Sequence, residues 1–283
     1  MVLVSPRNPL NIGAVARALA NFGFPHLAVV APWEPHWQEA RSAVGADDLL
    51  QQAKRTETLA EAVAACTLVI GTGTLTHRKA EQEVVSLLDL APRVRRELDR
   101  NGRIALVFGP EKHGLTREDL SWCHLLVEIP TDTRQPSMNL GQAVAVCLYE
   151  LASRTGSDPH RLDDAGPHAS AISPWEAQEV SGHNFSRAKT AAKSTWASAP
   201  AEGSLNPPSS PEANLPAPSA SLDLLATVIE QTMTAAGYSP RAMQPANRHD
   251  LRLLLRRLAP SARDTRRILG LFRRILWRLH PDR

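Results

Sequence analysis

Short apolar runs alternate with helical patterns through the first 153 residues, and this alternation constrains the fold more than any other feature of the sequence. The runs are apolar throughout, which is typical of strands covered on both faces in a parallel sheet. Strand–helix alternation therefore predicts an α/β fold. The predicted strands cover 2–4, 27–30, 68–71, 104–108 and 125–129, and the predicted helices cover 12–22, 59–65, 86–99, 116–122 and 140–152.

Composition divides the rest of the 283-residue chain into two further zones. Residues 154–220 contain nine prolines, with Ser, Ala, Asn and Gly between them. Such a segment buries too little apolar area to offset the entropy of ordering it, so we predict a flexible linker. Residues 221–283 carry leucine and isoleucine at helical spacing and predict a small helical module. The predicted domain is thus 1–153, followed by a linker at 154–220 and a module at 221–283.

The net charge of +3 conceals an asymmetry between these zones. Residues 221–283 contain 12 arginines, no lysine and 5 acidic residues, which gives +7, whereas residues 1–220 carry −4. A basic module on an acidic body favours an anionic partner, most commonly nucleic acid, although arginines that only solvate helix faces give the same balance. Because the leucines must turn inward, we expect the guanidinium groups to point outward and contact phosphates, and the linker to let the module reach a substrate away from the domain. The arginines expected to bind are Arg252, Arg256, Arg263, Arg267 and Arg274.

Other features exclude several classes of protein. No apolar run approaches the roughly 18 residues that cross a bilayer, and the N-terminus lacks the pattern of a signal peptide, so we predict a cytoplasmic protein with no membrane partner. The cysteines Cys66, Cys123 and Cys147 lie far apart and form neither metal-ligand nor disulfide spacing. We expect reduced core thiols and no metal site.

The first candidate functional segment is the predicted helix at 12–22. Its apolar residues form one narrow stripe, and Arg17 falls roughly opposite that stripe, aligned with Gly13 and Asn21. Asn11 stands where an N-cap would, and a helix N-terminus suits an anion. Considered alone, the pattern favours a solvated arginine on an Ala-rich amphipathic helix.

Three further segments are loops that follow predicted strands. One contains Gly109 and Glu111, one contains Ser137 and Asn139, and one is the sequence Gly-Thr-Gly-Thr at 71–74. Ligands of open α/β sheets bind beyond the carboxyl ends of the strands, so these loops are candidate binding loops, although each also reads as an ordinary turn or helix cap. The 71–74 segment lacks the third glycine of a dinucleotide fingerprint, which argues against a nicotinamide-dependent oxidoreductase.

In their order and spacing these segments resemble the SpoU family of RNA ribose 2′-O-methyltransferases, within the SPOUT superfamily. Asn11-x-Gly13-x-x-x-Arg17 is similar to the first motif of that family, and Phe108-Gly-x-Glu111-x-x-Gly-Leu115 is similar to the second. Ile129-Pro130 followed by Ser137-Met-Asn-Leu140 is similar to the third, with Met138 at a position where the family usually has leucine. The chain most resembles the group that methylates nucleotide 32 of the tRNA anticodon loop and carries a C-terminal helical extension.

The resemblance implies a fold, a cofactor and a set of site residues. It implies a sheet with a C-terminal trefoil knot, a homodimer whose RNA site is shared across the interface, and S-adenosylmethionine as cofactor. The implied cofactor-binding residues are Thr72, Gly73, Thr74, Gly109, Glu111, Ile129, Ser137, Met138, Asn139 and Leu140, and the implied catalytic residues are Asn11, Arg17, Glu111, Ser137 and Asn139.

The roles within that set are only partly defined. A guanidinium group with a pKa above ~12 is a poor base, so we expect Arg17 to clamp a phosphate and stabilise the developing alkoxide. We expect Glu111 to orient its loop and the cofactor, and the sequence does not identify the proton acceptor. An rRNA 2′-O-methyltransferase and a non-catalytic RNA-binding protein remain the alternative functions.

Overall fold

Seven parallel strands form one sheet in the part of the chain that the structure describes. A computed structural model describes residues 1–33, 35, 37–73, 80–155, 215–238, 240 and 243–279. The strands are β1 (Val2–Val4), β2 (Ala28–Val30), β3 (Lys54–Thr56), β4 (Leu68–Thr72), β5 (Glu83–Ser86), β6 (Ile104–Phe108) and β7 (Leu125–Glu128). They lie in the order β3-β2-β1-β6-β4-β7-β5, and every hydrogen-bonded pair is parallel. The predicted parallel α/β sheet is confirmed.

Helices cover both faces of this sheet. They are α1 (Pro9–Asn21), α2 (Asp47–Gln51), α3 (Leu59–Val63), α4 (Leu87–Leu98), α5 (Arg117–Ser121) and α6 (Leu140–Thr155), with a 3₁₀ turn at Trp37–Glu39. Along β1, Leu3 packs into the core on one face, whereas Val2 and Val4 pack into the core on the other. Burial on both faces explains why the inner strands are apolar at every position. The trefoil knot stays a prediction.

The sequence patterns missed the two strands at the sheet edges. In β3, Lys54 and Arg55 are exposed, and in β5, Glu83 and Val84 are exposed. An edge strand has one side open to solvent, so it needs no continuous apolar run, and charged side chains there discourage pairing with other chains. Apolar runs therefore identify the interior strands better than the edges.

Helix α1 begins three residues earlier than predicted, and this changes the role of Asn11. The N-cap is Asn8, whose side chain accepts a hydrogen bond of 3.0 Å from the backbone N–H of Leu10, and Pro9 occupies the first helical position. The N-cap assignment of Asn11 was therefore wrong. Gly13 is buried, and it packs so closely that an added Cβ would lie 2.3 Å from Ser42 Oγ. It therefore does not share the exposed side of the helix with Arg17.

Three further helices follow, and two of them, the first and the second, pack against the α/β domain. They are α7 (Ser219–Ala235), α8 (Gln244–Leu258) and α9 (Ala262–Leu279). The backbone N–H groups of Ser219 and Ala220 donate to carbonyl oxygens that follow α3, at 2.9 and 3.0 Å, and α8 lies against α5. Most of the predicted linker at 154–220 lies outside the described residues. Polar contacts fasten α7 and α8 to the domain, and the expectation that the linker lets this module reach a substrate stays a prediction.

None of the described helices is both long and apolar enough to cross a lipid bilayer. The three cysteines are free thiols. Cys123 and Cys147 are buried, and burial raises the pKa of each thiol to about 12, as expected of inert core cysteines.

Candidate active site

The carboxyl ends of three adjacent strands, β6, β4 and β7, open onto a pocket of about 280 Å³. Parallel strands place the loops that follow them at one edge of the sheet, which is where open α/β sheets bind ligands. The predicted residues that line the pocket are Thr72, Gly73, Gly109, Glu111, Ile129, Ser137, Met138 and Leu140. Segments distant in sequence are thus brought together as the motifs require. Thr74 lies outside the described residues.

The sequence reasoning missed several residues of the pocket wall. Thr131 and Pro136 close the loop after β7, where the Thr131 hydroxyl donates to the Pro136 carbonyl at 3.1 Å. Ala143 lies one helical turn beyond Leu140, and a 3.6-residue period would have identified it. Leu120 comes from α5, and no local pattern connects that helix to the pocket.

Gly109 is required by its own loop. A Cβ at this position would lie 2.3 Å from the carbonyl carbon of Gly114 and 2.3 Å from the backbone nitrogen of Leu115. Gly114 itself has a φ of 64°, and its N–H donates to the Pro110 carbonyl at 2.9 Å. The loop therefore folds back on itself at a separation that only glycine permits. The loop also presents the exposed side chains of Lys112 and His113 to the pocket.

Glu111 fastens this loop to the start of α1. Its carboxylate accepts hydrogen bonds from the Asn11 amide at 2.9 Å, from the Asn8 N–H at 3.2 Å and from the Arg7 N–H at 3.1 Å. Partial burial disfavours the charged form, but these hydrogen bonds outweigh burial and lower the pKa of Glu111 below its ordinary value. The carboxylate is ionised at neutral pH and is engaged by its own chain.

Asn11 extends this network to the third motif. Its side-chain oxygen accepts a hydrogen bond of 3.0 Å from the Asn139 amide, while the Asn139 oxygen accepts one of 2.9 Å from the N–H of Gly141 at the start of α6. Asn139 does not line the pocket. The structure therefore places Asn11, Glu111 and Asn139 in one hydrogen-bonded chain that ties together the starts of α1 and α6 and the loop after β6.

Arg17 lies apart from the pocket wall, on the exposed side of α1. Within the described part of the chain, its guanidinium group has no hydrogen bond or ion pair. Helices α1 and α6 pack closely, since a Cβ on Gly141 would come within 2.9 Å of the Ala14 Cβ. Leu10, Val146 and Tyr149 are exposed on the same two helices. Arg17 is thus an unengaged cation on a partly apolar surface that adjoins the pocket.

The arginines of the C-terminal helices divide into two groups. Arg252 and Arg256 are only 8% and 3% exposed, so the expectation that they point outward was wrong. Arg252 pairs with Glu118 of α5 and Asp223 of α7, and Arg256 donates to the Trp122 carbonyl. Burial disfavours the charged guanidinium more than the nearby Asp223 favours it, and it lowers the pKa of Arg256 to about 10. In the other group, Arg267 and Arg274 are exposed and Arg263 is half-buried.

No cluster of three or more His, Cys, Asp or Glu side chains suited to a metal ion occurs among the described residues. The Thr72 hydroxyl, which lines the pocket, is engaged by the Val107 carbonyl at 2.9 Å. What the pocket offers a ligand is therefore backbone polar groups, apolar side chains, the Ser137 hydroxyl and the exposed side chains of Lys112 and His113.

Comparisons with known proteins agree with this arrangement. Residues 1–149 match the model of the SpoU rRNA Methylase family. A tRNA (cytidine/uridine/adenosine-2′-O-)-methyltransferase TrmJ from Pseudomonas aeruginosa is 40% identical over 152 residues, which span 53% of this chain and 59% of that protein. A tRNA (cytidine-2′-O-)-methyltransferase TrmJ from Methanocaldococcus jannaschii is 37% identical over 54% of this chain and 67% of its own. The crystal structure of TrmJ from Z. mobilis ZM4 superposes with a TM-score of 0.68 at 26% identity, covering 97% of both chains.

Proposed function

The chain belongs to the SpoU rRNA methylase family, and from this premise we propose that it transfers a methyl group from S-adenosylmethionine to a ribose 2′-hydroxyl of tRNA. The observation that carries the proposal is the convergence of the second and third motif segments and the end of β4 on one pocket, to which the first motif is tied through hydrogen bonds of Asn11 with Glu111 and Asn139. The two curated relatives named TrmJ support tRNA over rRNA as the substrate. We assign nucleotide 32 of the anticodon loop as the target, and the cytoplasm as the place of action.

The residues of the pocket fit this cofactor. Leu115, Met138 and Leu140 offer an apolar surface for the adenine ring, while the strand ends and the tight loop at Gly109 offer backbone donors and acceptors for its edges. When bound, S-adenosylmethionine supplies an electrophilic methyl group on a sulfonium centre. Glu111 is occupied by hydrogen bonds from its own chain, so its role is to orient the loop.

Arg17 is proposed to act on the RNA. Its guanidinium group is free to donate bidentate hydrogen bonds to a phosphate and to stabilise negative charge that develops on the ribose oxygen. It lies six residues beyond Asn11, about 9 Å along the helix from the network at the pocket edge. Ser137, which lines the pocket with an exposed side chain, is the nearby hydroxyl that a proton relay would use.

A homodimer formed through α1 and α6 is part of the proposal. Leu10, Val146 and Tyr149 expose apolar area on these helices, and a partner would remove it from water. Both helices begin at the pocket, so such an interface lies beside it, and Arg17 falls within that interface. The RNA site is then shared between two protomers. Arg263, Arg267 and Arg274 of α9 are proposed to hold tRNA phosphates at a distance from the reacting nucleotide.

Methyl transfer to defined transcripts tests the proposed function. Purified protein is incubated with isotopically labelled S-adenosylmethionine and either a tRNA transcript or an rRNA fragment, and the modified position is mapped by mass spectrometry of nuclease fragments. We expect label at nucleotide 32 of the tRNA and none in a transcript that carries a 2′-deoxynucleotide there. Label confined to the rRNA fragment supports the alternative substrate, and RNA binding without any transfer supports the non-catalytic alternative.

A further inference from the structure

Helix α8 contacts two segments of the α/β domain, one of which forms part of the pocket wall. The first segment, 80–82, immediately precedes β5, and the second is α5, which follows the loop after β6 and supplies Leu120 to the pocket. His249 of α8 lies 3.0 Å from the first segment, measured from its Nε2 to Glu81 Oε2. Arg252 pairs with Glu118 of α5. Helix α8 therefore holds α5, and with it Leu120 of the pocket wall, together with the segment that leads into β5.

The contacts of α8 with α5 are made by two buried arginines. The guanidinium carbons of Arg252 and Arg256 lie 4.2 and 5.0 Å from the centroid of the Trp122 ring. The Arg256 Nε also donates to the Trp122 carbonyl at 2.9 Å, and the Arg252 Nε donates to Asp223 of α7 at 3.1 Å. A buried guanidinium that loses its partners is costly, so these groups define the position of α5 against α8.

The two held segments are also tied to each other. The Gln82 side chain donates to the Leu120 carbonyl, and the Arg117 Nε donates to Glu81 at 2.9 Å. A shift of α8 would therefore move the 80–82 segment and α5 together with respect to the sheet. Because Leu120 is part of the pocket wall, such a shift reaches the ligand site directly.

We propose that His249, Arg252 and Arg256 are positioning residues for the cofactor pocket, so that the C-terminal helices couple RNA contact to cofactor affinity. This inference rests on the proposed function, because it takes the pocket to hold S-adenosylmethionine. Coupling of two sites through a shared element typically changes affinity by about 5- to 150-fold. Loss of the brace is expected to weaken cofactor binding within that range although no substituted residue touches the pocket.

The test compares two arginines one helical turn apart on α8, in the full-length chain. Arg252→Ala removes an ion pair that reaches α5, whereas Arg248→Ala removes an ion pair with Glu230 inside the C-terminal helices, where Nε and Oε2 lie 2.8 Å apart. Calorimetry with S-adenosylmethionine is expected to give a dissociation constant at least fivefold higher for Arg252→Ala and within twofold of wild type for Arg248→Ala. Equal dissociation constants for the two variants, whether both are raised or both are unchanged, would overturn the proposal.

Two milder variants cover the case in which Arg252→Ala does not fold. Glu81→Gln and Glu118→Gln each weaken one contact of the brace from the side of the domain, where the carboxylates are partly exposed. Combined, they are expected to raise the dissociation constant more than either alone, and Arg252→Lys is expected to restore part of the affinity that Arg252→Ala loses. A wild-type protein that binds no S-adenosylmethionine refutes the proposed function, whereas unchanged affinity in the folded double variant refutes only the brace.

A second, independent observation concerns an exposed tryptophan on α9. Trp277 is 65% exposed. It lies nine residues from Ile268, which packs against the core of the C-terminal helices, so at about 100° per residue the two side chains point to opposite sides. The residues one turn before Trp277 on its own side are Arg273 and Arg274, both exposed, and the Arg278 guanidinium lies 5.8 Å from the Trp277 ring centroid.

The position of this ring among arginines favours RNA over a lipid surface. An interfacial membrane helix carries its aromatic residues on the apolar side, whereas Trp277 stands on the basic side. Within α9 the acidic residue is Asp264, and its carboxylate is engaged by the Ser261 hydroxyl at 2.8 Å. We infer that Trp277 is a stacking platform for an unpaired base of the tRNA, flanked by arginines that hold the adjacent phosphates. This inference also rests on tRNA being the substrate.

Salt dependence separates stacking from charge. Stacking of one base on an aromatic ring is worth about 5- to 150-fold in affinity. Trp277→Ala is therefore expected to weaken tRNA binding at least fivefold with an unchanged slope against salt concentration, because no phosphate contact is lost. Arg274→Gln is expected to reduce the slope by roughly 0.7 to 0.9.

The matched control for Trp277→Ala is Leu271→Ala, which removes an exposed side chain from the apolar side of the same helix and is expected to leave tRNA affinity unchanged. Equal losses in the two variants would refute the platform. The platform would also be refuted if Trp277→Ala reduced binding to anionic vesicles and left tRNA affinity unchanged. A wild-type chain that binds no tRNA refutes the proposed substrate instead.

Discussion

The carboxylate of Glu111 offers the most direct test of how the pocket is held together. Its Oε1 accepts from the Asn11 amide and the Asn8 N–H, and its Oε2 accepts from the Arg7 N–H. In Glu111→Gln, the amide oxygen can keep the first two partners. The amide nitrogen then faces the Arg7 N–H, donor against donor. The substitution keeps the shape of the side chain and removes one hydrogen bond and the charge that strengthened the other two.

The magnitude follows from those contacts. A hydrogen bond to a charged group contributes about 1.5–3 kcal/mol, and a neutral one contributes about 0.5–1.5 kcal/mol. At the lower ends of these ranges, one lost and two weakened hydrogen bonds come to about 3.5 kcal/mol, and because Glu111 is exposed, water replaces roughly half of this loss. We expect Glu111→Gln to lower the free energy of unfolding by about 1–2 kcal/mol at pH 7. The loosened loop should also weaken S-adenosylmethionine binding.

The pH dependence gives this prediction a second readout. The pKa of Glu111 is lowered in the folded protein, so its contribution to stability is present above the unfolded-state pKa of about 4.3 and is lost as pH falls through the folded-state value. In urea unfolding, the difference between wild type and Glu111→Gln should be constant from pH 7 to about 5 and should shrink below pH ~4. The control is Glu57→Gln, whose exposed pair with Arg55 is long at 3.7 Å. A difference that persists unchanged at low pH would refute the role of the charge.

Three other substitutions test the remaining parts of the site. Arg17→Ala should leave thermal stability nearly unchanged, because the side chain is exposed, while single-turnover methylation falls by about a hundredfold or more; normal turnover would return Arg17 to surface solvation. Gly109→Ala should lower the melting temperature as well as cofactor affinity, since its Cβ collides with backbone at Gly114 and Leu115; a stable variant that only loses cofactor would contradict this. Arg267→Gln with Arg274→Gln should weaken tRNA binding and flatten its salt dependence while leaving cofactor affinity in the absence of RNA unchanged.

The interior of the sheet was predictable because burial leaves a mark on every residue it covers. Strands such as β6 have helices on both faces, so the chain must be apolar at successive positions there. The pocket was predictable for a related reason, since parallel strands bring the loops at Thr72, Gly109 and Ile129 to one sheet edge whatever separates them in sequence. Only the strand order, which no local pattern encodes, was needed to confirm that these three loops are neighbours.

The errors share a different cause, which is that local patterns do not reveal partners distant in the chain. The residues around Gly109 carry no sign that Gly114 approaches it, so the steric requirement for glycine at this position could not be predicted from the sequence. Asn11 suits an N-cap, but Asn8 takes that role because Pro9 sets the start of the helix. Arg252 alternates with leucines like any solvated arginine, yet its partners Glu118 and Asp223 lie 134 and 29 residues away.

The misplaced arginines change how the C-terminal helices are expected to work. Had all of them pointed outward, the helices would have acted as a separate electrostatic anchor, and tRNA affinity and cofactor affinity would have varied independently. Because Arg252 and Arg256 are buried against α5, tRNA that binds the exposed arginines of α9 binds a group of helices that also positions Leu120 in the pocket wall. Reciprocity of linked binding then requires that tRNA change the affinity for S-adenosylmethionine by the same factor that S-adenosylmethionine changes the affinity for tRNA. The test is to measure both affinity changes, in wild type and in the Glu81→Gln/Glu118→Gln double variant. Coupling through α8 predicts that the two factors equal each other in each protein and that both fall toward one in the double variant.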